Sequence, residues 1–313
     1  MPRFSIIVPV YNVEPYLQEC LDSIFSQDFK DFEVCIVNDG SLDGSSKICE
    51  DFLHRYPDQI KYFTQKNQGV SVARNQAMDM ASGEYLWFVD ADDYINSNKA
   101  LEYINTELLA SGCDTIFFGS EHYNNQTAGY FEEAEKSSFL QSHICFCNPL
   151  MIFKRSIIAE NQIKFTAGMK MGEDLEFQYK YLIHCNRPIA IEYNFYHIRE
   201  REGSASRSNS SYNDNLNGNS LILKNMISYI EPFEAGEIKW MSSRIAERLK
   251  SYLQSCSMVN DVDWTSVNRE YRAFVDKFES LGLEGLKTGS LRLALLHVRL
   301  YCMAFKTLTL MKK

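Results

Sequence analysis

Three carboxylates fall within four residues at Asp90-Ala91-Asp92-Asp93. Groups crowded this closely repel one another unless a cation sits among them or water screens them. Hard oxygen donors of this kind suit Mg2+ or Mn2+, ions normally shared with the phosphates of a substrate. A solvated acidic turn is the plain alternative, since loops are rich in aspartate. A second acidic pair, Glu173-Asp174, follows Gly172 at the head of an apolar-periodic stretch, where acids ordinarily favour a helix N-terminus. Asp39 stands in Asn38-Asp39-Gly40-Ser41, a pattern that often caps a turn.

These residues need a frame, and the chain supplies one. Tyr85 to Val89 is apolar at every position and too short for a helix, as expected of a strand buried on both faces of a parallel sheet. Phe4 to Val10, Phe32 to Val37 and Ile60 to Phe63 read as further strands. Between them lie helical patterns. Pro15 opens the first, and Leu17, Cys20, Leu21, Ile24 and Phe25 form one apolar stripe. The helix bearing Ala73, Ala77 and Met80 closes at Ser82-Gly83, which suits a C-cap. Alternating strands and helices with short loops imply a mainly parallel sheet with right-handed crossovers and helices on both faces. Ligands of such sheets bind beyond the carboxyl ends of the strands, where Asp39 and Asp90 to Asp93 fall.

Farther along, a helix over Ala100 to Leu109, a strand over Thr115 to Phe118, a helix led by Glu173-Asp174 and a strand over Ile189 to His197 are expected. Residues 120 to 143 are polar and irregular and suit an acceptor-facing insertion. Arg199 to Ser211 is charged and rich in Gly and Ser, and a boundary near 205 separates residues 1-205 from a mainly helical region, 206-313.

Composition narrows the class. The 313 residues carry a net charge of −9, against general nucleic-acid binding. Nine cysteines at scattered spacings, with no signal peptide ahead of them, point to reduced thiols and a cytoplasmic location. No run approaches the roughly 20 apolar residues of a membrane-spanning helix.

Five ordered segments point one way: Ser5-Ile-Ile-Val-Pro-Val-Tyr-Asn12, Val37-Asn-Asp-Gly-Ser41, Asn67-Gln-Gly-Val-Ser-Val-Ala-Arg-Asn75, Val89-Asp-Ala-Asp-Asp93 and Gly172-Glu-Asp174. Together they resemble a family 2 glycosyltransferase over about the first 200 of the 313 residues. The resemblance implies a GT-A, Rossmann-like α/β fold and transfer of a sugar, with inversion, from a nucleotide diphosphosugar.

It also implies roles. Asp39 would accept the N–H of a uracil ring, making a UDP-sugar the expected donor, and Pro9, Val10 and Tyr11 would wall the base. Glu14 would meet the ribose or else favour its helix N-terminus. Asn67 and Gly69 lie on the loop nearest the nucleotide, Gly69 permitting a close approach. Arg74 would serve the diphosphate or hold the aspartates. Asp90, with Ala91 beside it, would face the ribose or the water shell of the metal, and Asp92 would ligate Mn2+ or Mg2+ directly. Asp174 would be the base, with Glu173 positioning the acceptor. His197 is a further metal candidate, although extra residues before Gly203-Ser-Ala-Ser206 depart from the family's pattern.

The acceptor would be a glycan or a lipid-linked glycan. Lys287 to Lys313 holds six basic residues and no acid among many leucines. Such a segment could lie on an anionic membrane surface, making the protein peripheral on the inner face, or pack on its own domain or on a second subunit in a homodimer. Two other readings stand beside transfer: a sugar-phosphate nucleotidyltransferase, which lacks support because Pro9-Val-Tyr-Asn12 replaces a glycine-rich basic loop, and a non-catalytic nucleotide-sugar-binding or scaffold protein.

Overall fold

In the computed structural model, the structure describes residues 1–120, 129–130, 148–199, 212–258 and 262–283, with isolated positions 286, 294, 298, 299, 301 and 302. The greater part of the expected insertion at 120–143, the boundary near 205, Gly203-Ser-Ala-Ser206 and nearly all of the basic segment after Lys287 lie outside the described residues.

The chain divides into two compact units, residues 1–169 with 177–200, and residues 170–176 with 201–313. The first is built on one sheet. Strand β1 (Phe4–Val10) is buried at every position, as is β2 (Phe32–Asn38). Strand β3 (Ile60–Thr64) forms the edge, and β4 (Tyr85–Phe88) flanks β1 on its other side. These four run parallel in the order β3-β2-β1-β4, so their carboxyl ends share one edge.

Helix α1 (Glu14–Phe25), with Pro15 in its first turn, buries Leu17, Cys20, Leu21, Ile24 and Phe25. It packs with α2 (Ser45–Arg55) on the sheet face formed by Phe4, Ile6, Val8 and Val10. Helix α3 (Val70–Met80) lies against β1 and β2 and buries Ala73 and Ala77. It ends at Ala81, so Gly83 is not its C-cap. Gly83 serves a close approach: a Cβ there would lie 2.6 Å from the Ser5 amide nitrogen.

After β4 the sheet becomes mixed. Strand β5 (Tyr94–Ile95) follows the acidic loop directly and pairs antiparallel with β9 (Pro188–His197). Helix α4 (Ala100–Ser111) ends on Gly112, which is left-handed at φ +59°, and leads into β6 (Thr115–Ser120). The two-residue β7 (Gly129–Tyr130) pairs with β9. Strand β8 (Met151–Lys154) runs antiparallel between β4 and β6. Helix α5 (Arg155–Glu160) follows, and then α6 (Glu173–His184), whose Phe177 ring packs edge-on against Phe88 and Phe153. The α/β fold, with its central sheet and a helical C-terminal region, is the one the motif order implies.

The second unit holds α7 (Tyr212–Ile230), the short α8 (Ala235–Ile238), α9 (Ser242–Met258) and α10 (Trp264–Ser280). Leu223, Met226, Ile245, Leu249, Tyr271 and Val275 are buried among these helices. Glu270 ties three of them together: the Ser220 hydroxyl donates to it at 2.9 Å, Tyr252 donates at 2.5 Å, and Lys224 lies 2.6 Å away. The chain in both units is free of a helix long and apolar enough to cross a membrane among the described residues.

Candidate active site

The four parallel strands end on four loops, and hydrogen bonds lace the first two together. The Asp39 amide donates to Val10 O at 2.8 Å. The Asn12 amide donates to the Ser41 hydroxyl at 3.1 Å, and the Leu42 amide returns a bond to Asn12 Oδ1 at 2.8 Å. Glu14 Oε2 accepts from the Gly44 amide at 2.7 Å. That carboxylate is therefore used to join the loops, and a Cβ at Gly44 would fall 2.3 Å from its Oε1. Of the proposed base wall, Pro9 and Val10 are buried inside β1, whereas Tyr11 is 45% exposed. Only the Tyr11 side chain of the three is open to solvent.

Asp39 is 2% exposed and organises the third loop. Its Oδ1 accepts from Gln65 Nε2 at 2.8 Å and from the Gln68 amide at 2.9 Å, and its Oδ2 accepts from the Gly69 amide at 2.8 Å. Gly69 has φ +92° and meets nothing within 4 Å at its Cβ position, so backbone geometry, not space, requires glycine there. Asn67 and Gly69 are exposed on this loop. The buried Asn38 next door donates to Ser46 Oγ at 2.6 Å and accepts from the Ser41 amide at 2.9 Å.

The fourth loop carries the acids, and the structure separates their roles. Arg74, on α3, donates from Nη2 to Asp90 Oδ1 at 2.8 Å. Its guanidinium lies 5.3 Å from the centre of the Phe165 ring. Ala91 is buried and Asp92 is partly exposed. Asp93 is 6% exposed and accepts from the Arg199 amide at 2.8 Å. Burial pushes its carboxyl up to about 8, the charge on Asp90 adds to this, and the Arg199 amide opposes it. The third acid is thus turned inward, where burial and the neighbouring Asp90 charge disfavour its ionised form.

Tyr196 on β9 and Arg199, two residues past its end, brace this loop. Tyr196 is fully buried, and its hydroxyl accepts from the Asp90 amide at 3.0 Å and interacts with Asp93. Arg199 donates from Nε to Asp92 O at 3.0 Å, and its guanidinium pairs with Glu19 beneath the Tyr16 and Tyr94 rings. His197 pairs in register with Tyr94, one residue beyond Asp93, and stacks on its ring at 4.5 Å. Residue types alone show neither the bracing of the acidic loop by Tyr196 and Arg199 nor the burial of Asp93. The available signal was aromatic and basic residues at the end of a strand.

A two-carboxylate donor set, Asp90 and Asp92, suits a hard divalent cation that takes its other ligands from substrate phosphates and water. Among the described residues no cluster of three or more His, Cys, Asp or Glu could cage a metal by itself.

Glu173 and Asp174 belong to the second unit and are partly exposed in the first turn of α6. Gly172 precedes them at φ +82°, a conformation that a side chain would strain, and its carbonyl accepts from the Glu176 amide at 3.0 Å.

The first 349 residues of Staphylococcus aureus TarS, crystallised with UDP, share the fold at a TM-score of 0.72 and 22% identity, over 97% of this chain and 89% of that one. In sequence the chain is 32% identical to glycosyltransferase GlyA of Streptococcus pneumoniae over 66% of this chain and 32% of GlyA. It is 30% identical to the poly(ribitol-phosphate) beta-N-acetylglucosaminyltransferase TarS of S. aureus over 65% of this chain and 36% of TarS. The chain spans about a third of the length of these curated relatives. The model of the family "Glycosyl transferase family 2" matches residues 5–161, from β1 through the acidic loop and α5, which is half the chain. By that match the chain belongs to glycosyl transferase family 2.

Proposed function

We propose that this chain transfers a sugar, with inversion, from a UDP-sugar to a hydroxyl of a glycan or lipid-linked glycan acceptor, in the synthesis of a polysaccharide or glycoconjugate. The observation that carries the reading is the acidic loop at the end of β4, with Asp90 held by the Arg74 guanidinium beside the loops of β1, β2 and β3. The S. aureus TarS structure with UDP, which shares the fold, supports uridine as the base.

Tyr11 offers a ring for the base, and Asp39 either meets the base or shapes the loop that does. Asp92 and Asp90 would hold Mn2+ or Mg2+, which would supply electrostatic neutralisation of the diphosphate; His197 is a further candidate ligand. Asp174 takes the proton from the acceptor hydroxyl as its oxygen bonds to the anomeric carbon. The bond from that carbon to the diphosphate oxygen breaks, and its electron pair leaves with the UDP. A positioned base contributes roughly 10²- to 10⁴-fold. Glu173 orients the acceptor. Contact of the basic C-terminal segment with a membrane surface, and a homodimer, belong to the same reading.

Calorimetry with UDP, GDP and CDP, each with Mn2+ and again with chelator, tests it. UDP binding that vanishes with chelator and in Asp92→Asn is the expected result. Failure of all three nucleotides to bind would overturn the assignment.

A further inference from the structure

We propose that helix α7 sets the position of the general base, with Gly218 and Asn225 as its positioning residues. The inference rests on Asp174 being the base proposed above. Helix α7 carries no recognisable motif, and both of its contacts described below lie within the second unit.

Residues 170–176 group with the C-terminal helices, although α6 continues from them into the sheet unit. Helix α7 holds this short segment at both ends. At one end, Gly218 faces Met171: a Cβ on Gly218 would lie 3.1 Å from Met171 O and 3.4 Å from Met171 Cβ. At the other end, two helical turns on and so on the same face of α7, Asn225 Nδ2 donates to Glu176 Oε1 at 3.1 Å. Glu173 and Asp174 lie between the two contacts, on the turn that Gly172 opens at φ +82°.

Both contacts are costly as plain packing. A mid-helix glycine weakens α7 relative to alanine, and Glu176 is only 1% exposed, a burial for which its carboxylate demands partners. Fixing the backbone on either side of Asp174 accounts for both features. A base must lie within hydrogen-bond reach of the proton it removes, and a displacement of about 1 Å can cost on the order of 10²-fold in rate.

The test uses the full chain with Asn225→Ala, Gly218→Ala and Gly218→Val. The control is Gly236→Ala, because a Cβ at Gly236 meets nothing within 4 Å. Three readouts are taken: Mn2+-dependent UDP affinity, kcat and KM for UDP release from UDP-N-acetylglucosamine or UDP-glucose with water as acceptor, and hydrogen exchange of the peptide covering residues 170–178. Expected are a fall in kcat of about 10- to 100-fold for Asn225→Ala and Gly218→Val, with KM and UDP affinity within about twofold, and faster exchange over 173–176. Gly218→Ala should lower kcat less and leave the melting temperature in place, since alanine favours the helix. A purely structural role would instead lower stability, kcat and UDP affinity together, and that pattern overturns the proposal. So do kcat values no lower than that of the control. If the wild-type chain neither binds nor releases UDP, the functional reading fails by itself. The exchange arm then decides whether α7 clamps the segment: faster exchange in the variants supports it, and unchanged exchange overturns it.

Discussion

Arg74 and Asp90 form a 2.8 Å ion pair in which the arginine side chain is 4% exposed and the aspartate 31%. The cation is thus buried and its partner reaches solvent. The arginine is braced from behind: Asn75 Nδ2 donates to Phe165 O at 2.8 Å and Asn75 Oδ1 accepts from the Phe165 amide at 2.9 Å, fixing the ring over which the guanidinium lies. The Phe165 ring also stacks on Phe177 at 4.0 Å and meets Phe88, at the end of β4, edge-on. One aromatic cluster therefore connects α3, the strand that delivers the acids, and helix α6.

Arg74→Met should weaken both the fold and the site. Breaking a fully buried pair costs about 3–5 kcal/mol. Because Asp90 is about a third exposed and water screens it, a loss of about 1–3 kcal/mol in urea unfolding is expected, together with loss of Mn2+-dependent UDP binding. Arg74→Lys should rescue stability better than binding, since lysine cannot reproduce the planar guanidinium. Full UDP affinity in Arg74→Met would show that Arg74 has no part in holding Asp90 for the donor.

Asp174→Asn should separate chemistry from binding. The amide keeps the size of the side chain and cannot take a proton, so transfer should fall at least 10²-fold while UDP affinity with Mn2+ stays within about twofold. Steady-state rates and calorimetry on the same preparation check both halves. A variant that keeps more than about a tenth of the wild-type rate would assign the base elsewhere, given the contribution expected of such a group.

The strands and the motif loops were legible because burial on both faces leaves an unmistakable apolar run, and Tyr85 to Phe88 is such a run. The mixed half of the sheet was harder to read. Tyr94–Ile95 is two residues long and owes its strand geometry to pairing with Tyr196 and His197, about a hundred residues away. No local pattern encodes such a partner. The same holds for Asp93: three adjacent acids look alike in sequence, and only the Tyr196 hydroxyl and the Arg199 amide show which one turns inward. Glu14 shows the same limit. An acid in a first helical turn reads as a dipole effect or a ligand contact, and nothing in the sequence shows that its carboxylate also accepts from a glycine amide on the neighbouring loop.

Asp39→Ala should cost stability even without a nucleotide. The substitution removes the acceptor for the Gln68 and Gly69 amides and for Gln65 Nε2. Hydrogen bonds to charged groups contribute roughly 1.5–3 kcal/mol each, and water can replace part of that on an exposed loop, so about 2–4 kcal/mol in urea unfolding is expected. Hydrogen exchange should rise across residues 65–70. A stability equal to wild type would mean that the loop holds its shape without this carboxylate, leaving Asp39 a role with the base alone.

Glu33 predicts how the fold responds to acid. It is 7% exposed at the start of β2, and its carboxylate accepts from the Ser5 hydroxyl at 2.7 Å, the Ser82 amide at 2.6 Å and Lys61 Nζ at 2.8 Å. Burial pushes the carboxyl up, but the bonds from Lys61, Ser5 and Ser82 outweigh it and hold the group below the ordinary glutamate range. A depressed native value means that the unfolded chain binds the proton more readily. The stabilisation is therefore complete above the unfolded value of about 4.3 and drains away as pH falls through the lower native value. Glu33→Gln keeps the shape and removes this linkage. Wild type should exceed the variant by about 1–3 kcal/mol at pH 6, and the gap should narrow steadily in urea titrations carried down to pH 3. A gap that stays constant over that range would place the pH sensitivity in other groups and leave Glu33 a neutral packing residue.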